Sequence, residues 1–438
     1  MQIGGLSRGG GAPFSPSKLY AAGQAGLWGD PSDLTSGWQL STGATALTMP
    51  GAGTADCPVG YSTDKSGRGI HLLQASAAAR PVLSARVNLL AAKSEQFDTW
   101  PSNAVTVTPN STAAPDGAVS ADTLTGTAGG ASLYLTSGMP IAGGVPCTAS
   151  VHVLKTSGAT TFPMLAFHGV GGTDVDGDVI LNTNTGVLAV RAGVPGAINL
   201  AVTSEGLFWR VAWSIVTGAA NTGLKLFVYP AGSSNGTDYD GAKTGAIVAW
   251  GAQIEIGSTA TRYQKVTDAS NYDTAGFPLF YRGDGVDDGL AASFAAGTLT
   301  SNMTLLMAIK RTSAAGLVAL FRAAGSANYV GSMTSGGAGA ASALSGTPTY
   351  RVDGVDVPGG AGTTEGQLHT ALTVGPWHIL EIRGIDMSAW VSAGLGYFSG
   401  GYPGAANYGG HILRDALSEA DCARARRYLA RKVGVSVA

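Results

Sequence analysis

Ala246-Ile247-Val248-Ala249-Trp250-Gly251-Ala252-Gln253-Ile254-Glu255-Ile256 is the stretch on which the fold turns. It is rich in β-branched residues and shows no helical period, so it reads as a strand. Trp250 falls inside the apolar run, which predicts a core position. Glu255 alternates with Ile254 and Ile256, which predicts that it faces solvent.

The same style extends backwards to Asn88-Leu89-Leu90. Strands are predicted at Ala104–Thr108, Thr148–Leu154, Thr161–Phe167, Val179–Asn182, Gly186–Arg191, Trp209–Val216 and Leu224–Tyr229. No helical period interrupts them. Beyond Thr267 the style changes. The strands Met303–Ile309 and Trp377–Arg383 follow, with a Gly-rich span, 331–346, between them. One helix is expected, from Ser418 to about Val433. Ser418 is a good N-cap, and Asp421 three residues on makes a capping-box-like pair. Cys422, Ala425, Leu429 and Val433 share one helical face; the basic residues of this segment read as a solvated face rather than a nucleic-acid patch.

Composition agrees. Of 438 residues, 45% are hydrophobic and only 12% are charged, about half the usual share. The 66 glycines have no period, which means tight turns rather than collagen. The fold class expected is all-β. The formal net charge of −2 comes with no basic stripe before the C-terminal helix, which argues against nucleic acid. Cys57, Cys147 and Cys422 are far apart and odd in number, which argues against a disulfide framework or a zinc site. The first twenty residues lack an apolar h-region, and no apolar run is long enough to span a membrane. Synthesis in a cytoplasm without a signal peptide, and no membrane insertion, are therefore expected.

Candidate chemistry is sparse. Asp284, Asp287 and Asp288 lie within five positions; the cluster reads either as a Ca²⁺ loop or as a strand turn. Asp174-Val175-Asp176-Gly177-Asp178 mimics the start of an EF-hand loop without its closing Glu, and reads as a β-turn. The glutamates are isolated and no Glu-x-Asp-x-x-Glu strand exists, so glycoside hydrolysis is not expected. The histidines are scattered and no Gly-x-Ser-x-Gly elbow is present. An enzyme is not expected. Tyr397, Phe398, Tyr402 and Tyr408 form a Gly-rich aromatic segment that is hard to explain as core; it reads equally as a ligand groove or a subunit interface. Tyr229, Tyr239 and Asp240 make a second, weaker loop candidate.

Two resemblances cover nearly the whole chain after Pro13. The outer segments carry Trp28 to Leu34, Asp64 to Gly69, Ala79-Arg80-Pro81, Asp284-Gly285-Val286-Asp287-Asp288 and the closing helix. In that order they resemble a concanavalin-like, laminin-G-type jelly roll of phage particle proteins. Arg80-Pro81 and Asp284 are about two hundred positions apart, where the family needs some ten to twenty. The intervening block has Asn88-Leu89-Leu90, Phe97-Asp98-Thr99-Trp100, Ala121-Asp122-Thr123-Leu124, Trp209-Arg210-Val211, Trp250 to Glu255 and Arg262-Tyr263. It is similar to the carbohydrate-binding-module-like jelly rolls of phage tail and fibre proteins.

The resemblance implies two jelly-roll β-sandwiches, one inserted in the other: residues 13–87 with 267–438, and 88–266. Residues 1–12 would be a disordered tail or an anchor to other virion proteins. It further implies a fibre, spike or decoration protein on a virion surface, binding host polysaccharide. A homo-oligomer is then expected; a trimer fits fibres, though no heptads mark one. A decoration protein without glycan binding is the alternative, and a polysaccharide depolymerase a more distant one.

Overall fold

The computed structural model describes residues 14–51, 57–138, 140–158, 161–284, 286–314, 320–323, 329–331, 336–342, 346–396 and 406–437. The N-terminal segment and Tyr397, Phe398 and Tyr402 lie outside the described residues.

Short, alternating, β-branched segments cannot satisfy their backbones alone, so they pair edge to edge. They do so here in two β-sandwiches, with antiparallel pairing throughout the named strands. The outer sandwich has a central sheet ordered Gly346–Val352, Trp377–Ile385, Met303–Arg311, Ala406–Asp415. Early strands join it: Gly26–Gly29 pairs with Ala406–Asp415, and Val82–Ser84 pairs with Phe280–Arg282. The facing sheet likewise mixes Leu72–Leu73 with Gly289–Ser293 and Ser392–Gly396. Chain from before residue 85 and after residue 279 thus interleaves in both sheets. Leu305, Met307, Leu380, Ile382, Leu290 and Phe321 fill the space between.

The inserted sandwich is built wholly from residues 102–256. Its first sheet runs Leu188–Pro195, Val175–Leu181, Phe162–Val170, Gly223–Ser233, Ser132–Thr136, Ser102–Asn103. Its second runs Ile198–Glu205, Phe208–Val216, Pro146–Leu154, Gly245–Ile256, Val119–Gly126, Val105–Ala113. Leu165, Phe167, Leu226 and Val228 meet Val151, Val153, Trp213 and Ile254 in a separate core.

The chain enters and leaves the insert through a buried polar staple. Gln264 accepts the Val87 and Asn88 N–H groups and donates to the Ala85 carbonyl at 2.9 Å. Asn88 donates to the carbonyls of Ala252 and Gln264. Arg86 donates to the carbonyls of Asn88 and Leu90. Buried donors left unmatched cost free energy, so the two crossing segments hold one another in place. Gly375, at φ +105°, abuts Gly257: a Cβ there would lie 2.3 Å from the Gly257 Cα. Only glycine lets the two sandwiches approach so closely.

Glu419–Val433 is the expected helix. Ser418 accepts the Asp421 N–H at 3.1 Å and donates to its carboxylate at 2.7 Å. Cys422, Ala425, Leu429 and Val433 pack on Leu306, Ala308, Ile379 and Ile412, covering the outside of the central sheet. A second helix, Glu365–Ala371, is announced only by its capping box, Thr364 with Gln367. Among the described residues no helix is long and apolar enough to cross a membrane.

Two sequence readings are corrected. Tyr408 is no loop aromatic: it lies 5% exposed in Ala406–Asp415, the strand beside Met303–Arg311. Gly409-Gly410 disguises that strand. A Cβ on Gly409 would lie 2.4 Å from the Val433 side chain, so the glycine is there to seat the helix. Second, Val175–Leu181 is a strand, so the Asp174–Asp178 segment is not a β-turn.

Candidate functional site

The first inserted sheet turns one face to the core. Its other face carries a grid of aromatic and charged side chains. Alternation produces it: in Gly223–Ser233, Leu224, Leu226 and Val228 point inward, so Lys225, Phe227 and Tyr229 point out. Cross-strand register aligns the neighbours. One row is Thr136, Lys225, His168 and Asp176; the next is Tyr134, Phe227, Ala166 and Asp178. Residues opposed in register lie on the same face, within contact distance.

One bank of the grid is aromatic. Tyr134 and Phe227 have ring centroids 5.5 Å apart, and Phe227 and Tyr229 lie 6.2 Å apart with their planes inclined by 27°. All three rings are half-buried. The other bank is polar. His168 sits between two carboxylates, with Nδ1 3.2 Å from Asp176 and Nε2 2.9 Å from Asp178. Arg191 donates to the other oxygen of Asp178 at 2.7 Å. The His168 ring also packs at 5.0 Å against Phe227, which joins the two banks. Between Phe227 and Asp178 stands Ala166, which its neighbours bury. Tyr239 closes the rim, at 6.0 Å from Tyr229 and with the Arg191 guanidinium 4.9 Å above its ring. Burial, then Tyr239, raises the Tyr229 hydroxyl above its ordinary range, so it stays a donor at neutral pH.

Such a face offers flat apolar rings beside fixed donors and acceptors. It can stack a ring that has polar edges and apolar faces, and hydrogen-bond its hydroxyls.

The residues singled out in sequence fare differently. Tyr239 belongs to this rim. Asp240 lies in the same rim loop, where it accepts from the Ser234 hydroxyl and the Ala242 N–H and so shapes the turn. Tyr408, buried in the outer sandwich, presents its ring to one small crevice with Asp288, Pro81, Tyr281 and Leu395. Asp284, Asp287 and Asp288 hold their carboxylate oxygens within 4.8 Å of one another. Ca²⁺ needs roughly six to eight oxygen ligands. Here Asp288 accepts the Asp284 N–H at 2.7 Å, and Asp284 accepts the Val286 N–H at 2.7 Å. Those are the bonds of a strand turn, made by the same carboxylates whose spacing would suit a cation. Burial, with Asp284 and Asp287 alongside, pushes the Asp288 carboxyl up to about 6.

Glu255, expected in solvent, is 1% exposed. The 258–264 segment folds over its strand, and Glu255 accepts from the Thr261 N–H and hydroxyl and from Gln253. His378 accepts from Thr373 at 2.9 Å and donates to Asp353 at 2.7 Å. Asp353 also accepts the Ile379 N–H, so the set fastens the Asp353-Gly354 turn to the Trp377–Ile385 strand. Burial pushes the Cys147 and Cys422 thiols up to about 12, out of reach as nucleophiles at neutral pH.

Asp176 and Asp178 belong to the segment singled out in sequence for its EF-hand-like start; Tyr134, His168, Arg191, Lys225 and Phe227 were not singled out. The signal was present in period-two alternation within each strand. What joins the strands into a grid is register.

No family model matches the chain, and no curated protein matches it. Among solved structures, the chain is similar to the N-terminal CBM22-1–CBM22-2 tandem domain of Paenibacillus barcinonensis Xyn10C. The identity is 11% and the TM-score 0.25, over 76% of this chain and 99% of that one. A likeness at that score carries no argument, and the fold stated above rests on strand pairing alone.

Proposed function

We propose that this is a carbohydrate-binding protein whose inserted sandwich takes the sugar on the outer face of its first sheet. One observation carries the reading. A sheet face only partly covered, by the rim loop that carries Tyr239, sets Tyr134, Phe227 and Tyr229 in a bank opposite His168, Asp178 and Arg191. A face meant only for solvent has no use for three half-buried rings.

We further propose that the protein works on the exterior of a phage-like particle, holding cell-surface polysaccharide. The motif order described above supports this. Binding by a shallow face is weak per copy and gains from many copies.

A glycan array and affinity electrophoresis with the full chain test the proposal. Binding is expected, and Phe227→Ala should weaken it about thirtyfold, as removal of a central aromatic anchor does. Binding unchanged in Phe227→Ala would place the ligand elsewhere. For the particle, deleting residues 88–266 should leave assembly intact and stop adsorption; failed assembly would favour a decoration role.

A further inference from the structure

The charges on this face are unevenly spent. Asp178 is shared by His168 and Arg191, and Asp176 faces the other nitrogen of His168. The acidic groups, the histidine and the arginine thus close on one another. Lys225 stands outside the set. Its ammonium lies 3.8 Å from the Tyr134 ring centroid and 4.7 Å from that of Phe227. Among the described residues it makes no hydrogen bond or ion pair.

That sets it apart from the other lysines that sit over rings. Four described lysines sit over aromatic rings, and the other three also reach oxygen. Lys65 reaches Asp33, Lys155 the Ser204 hydroxyl and the Gly206 carbonyl, and Lys432 Asp30 and Ser32. An ammonium is a compact charge with three donors on a flexible stem, and ring faces satisfy none of those donors as an anion would. The register places Lys225 between Thr136 and His168, at the border of the aromatic and polar banks. A sugar stacked on Phe227 would bring a ring substituent to that border.

We propose that the ligand is an acidic polysaccharide whose carboxylate or sulfate is received by Lys225. The inference rests on the carbohydrate reading above and names its substrate class. On binding, the ammonium leaves the Tyr134 face, frees that ring for stacking and pairs with the anion. Lys225 is then the specificity residue, and the aromatic bank supplies area without discriminating charge.

The test is titration of the full chain with polygalacturonate, a sulfated galactan and a neutral galactan, at low and high salt. Binding is expected to at least one anionic polymer and to weaken with salt. Carboxylate and sulfate are told apart by which anionic polymer binds. Lys225→Gln should lose about tenfold or more, and Lys225→Arg should keep most of the affinity. Lys18→Gln, the same charge change on an exposed residue of the outer sandwich, should have no effect. Equal thermal melting of the Lys225 variants and the parent shows that folding is not the cause.

Anionic binding that survives Lys225→Gln overturns the proposal. So does salt-insensitive binding to the neutral galactan that Phe227→Ala abolishes, although the aromatic face then stands. Binding to no glycan at all brings down the carbohydrate reading itself.

Discussion

The outer faces of two sheets, one in each sandwich, make the instructive contrast. The central sheet of the outer sandwich presents Leu306, Ala308, Ile379 and Ile412, and the chain covers them with its own C-terminal helix. The first inserted sheet presents Tyr134, Lys225, Phe227 and His168, and among the described residues no helix covers them. Both faces carry ion pairs, but of different kinds. Under the helix, Glu381 is buried with Arg426 at 2.7 Å and Arg383 beside it. On the open face, Asp176 remains 47% exposed. A face closed by its own chain contributes stability. A face left open with half-buried rings has given up that stabilisation, and a ligand can recover it.

The contrast breaks most readily at Glu381. Glu381→Gln removes the close buried partner of Arg426 and leaves it only the partly exposed Glu419 at 3.8 Å, and should cost about 3 kcal/mol in denaturant unfolding. A loss under 1 kcal/mol would mean that water reaches the network and that the helix is no real cover.

The interior of the outer sandwich sharpens it next, through pH. His411 is buried, and neither ring nitrogen has a hydrogen-bond partner among the described residues. Burial drives it down to about 4, against the pull of Asp64 and Asp30. The unfolded chain takes up the proton near 6.5, so stability is lost as pH falls from there to about 4. The folded value of about 4 sets that loss at roughly 3 kcal/mol. Asp288, raised to about 6, acts in the opposite direction over an overlapping range. The measurement is therefore the difference in unfolding free energy between the parent and His411→Leu, across pH 4–7. A flat difference would refute the burial of a neutral imidazole.

The smallest stability effect belongs to the open face. Phe227→Ala removes cross-strand contacts with Tyr134 and His168, and should cost about 1 kcal/mol of stability while abolishing most of the binding. A cost above 3 kcal/mol would make Phe227 a core residue and erase the contrast.

How much could be read beforehand differs between regions. The strands of the insert were legible because apolar alternation marks them, and the closing helix because Ser418, Asp421 and the Cys422–Leu429 stripe mark it. Ala406–Asp415 was not legible. Its Gly409-Gly410 pair looks like a loop until the helix that needs the space is in place. Glu255 was misread because alternation identifies a face and cannot say whether 258–264 will fold across it. The acidic cluster at Asp284 was legible as a cluster, and the structure adds the hydrogen bonds by which Asp284 and Asp288 also hold the turn.

The chain's own text determined the fold class and which side chains of each strand share a face, while the division into an outer and an inserted set of strands was implied only by the resemblance to jelly rolls. The fold class and the shared faces follow from local periodicity and turn chemistry, which act over a few residues. Only the tertiary structure decided that Lys225, Phe227, His168 and Asp178 are neighbours. They come from three strands whose register is set by core packing on the opposite face, and no local signal carries that alignment.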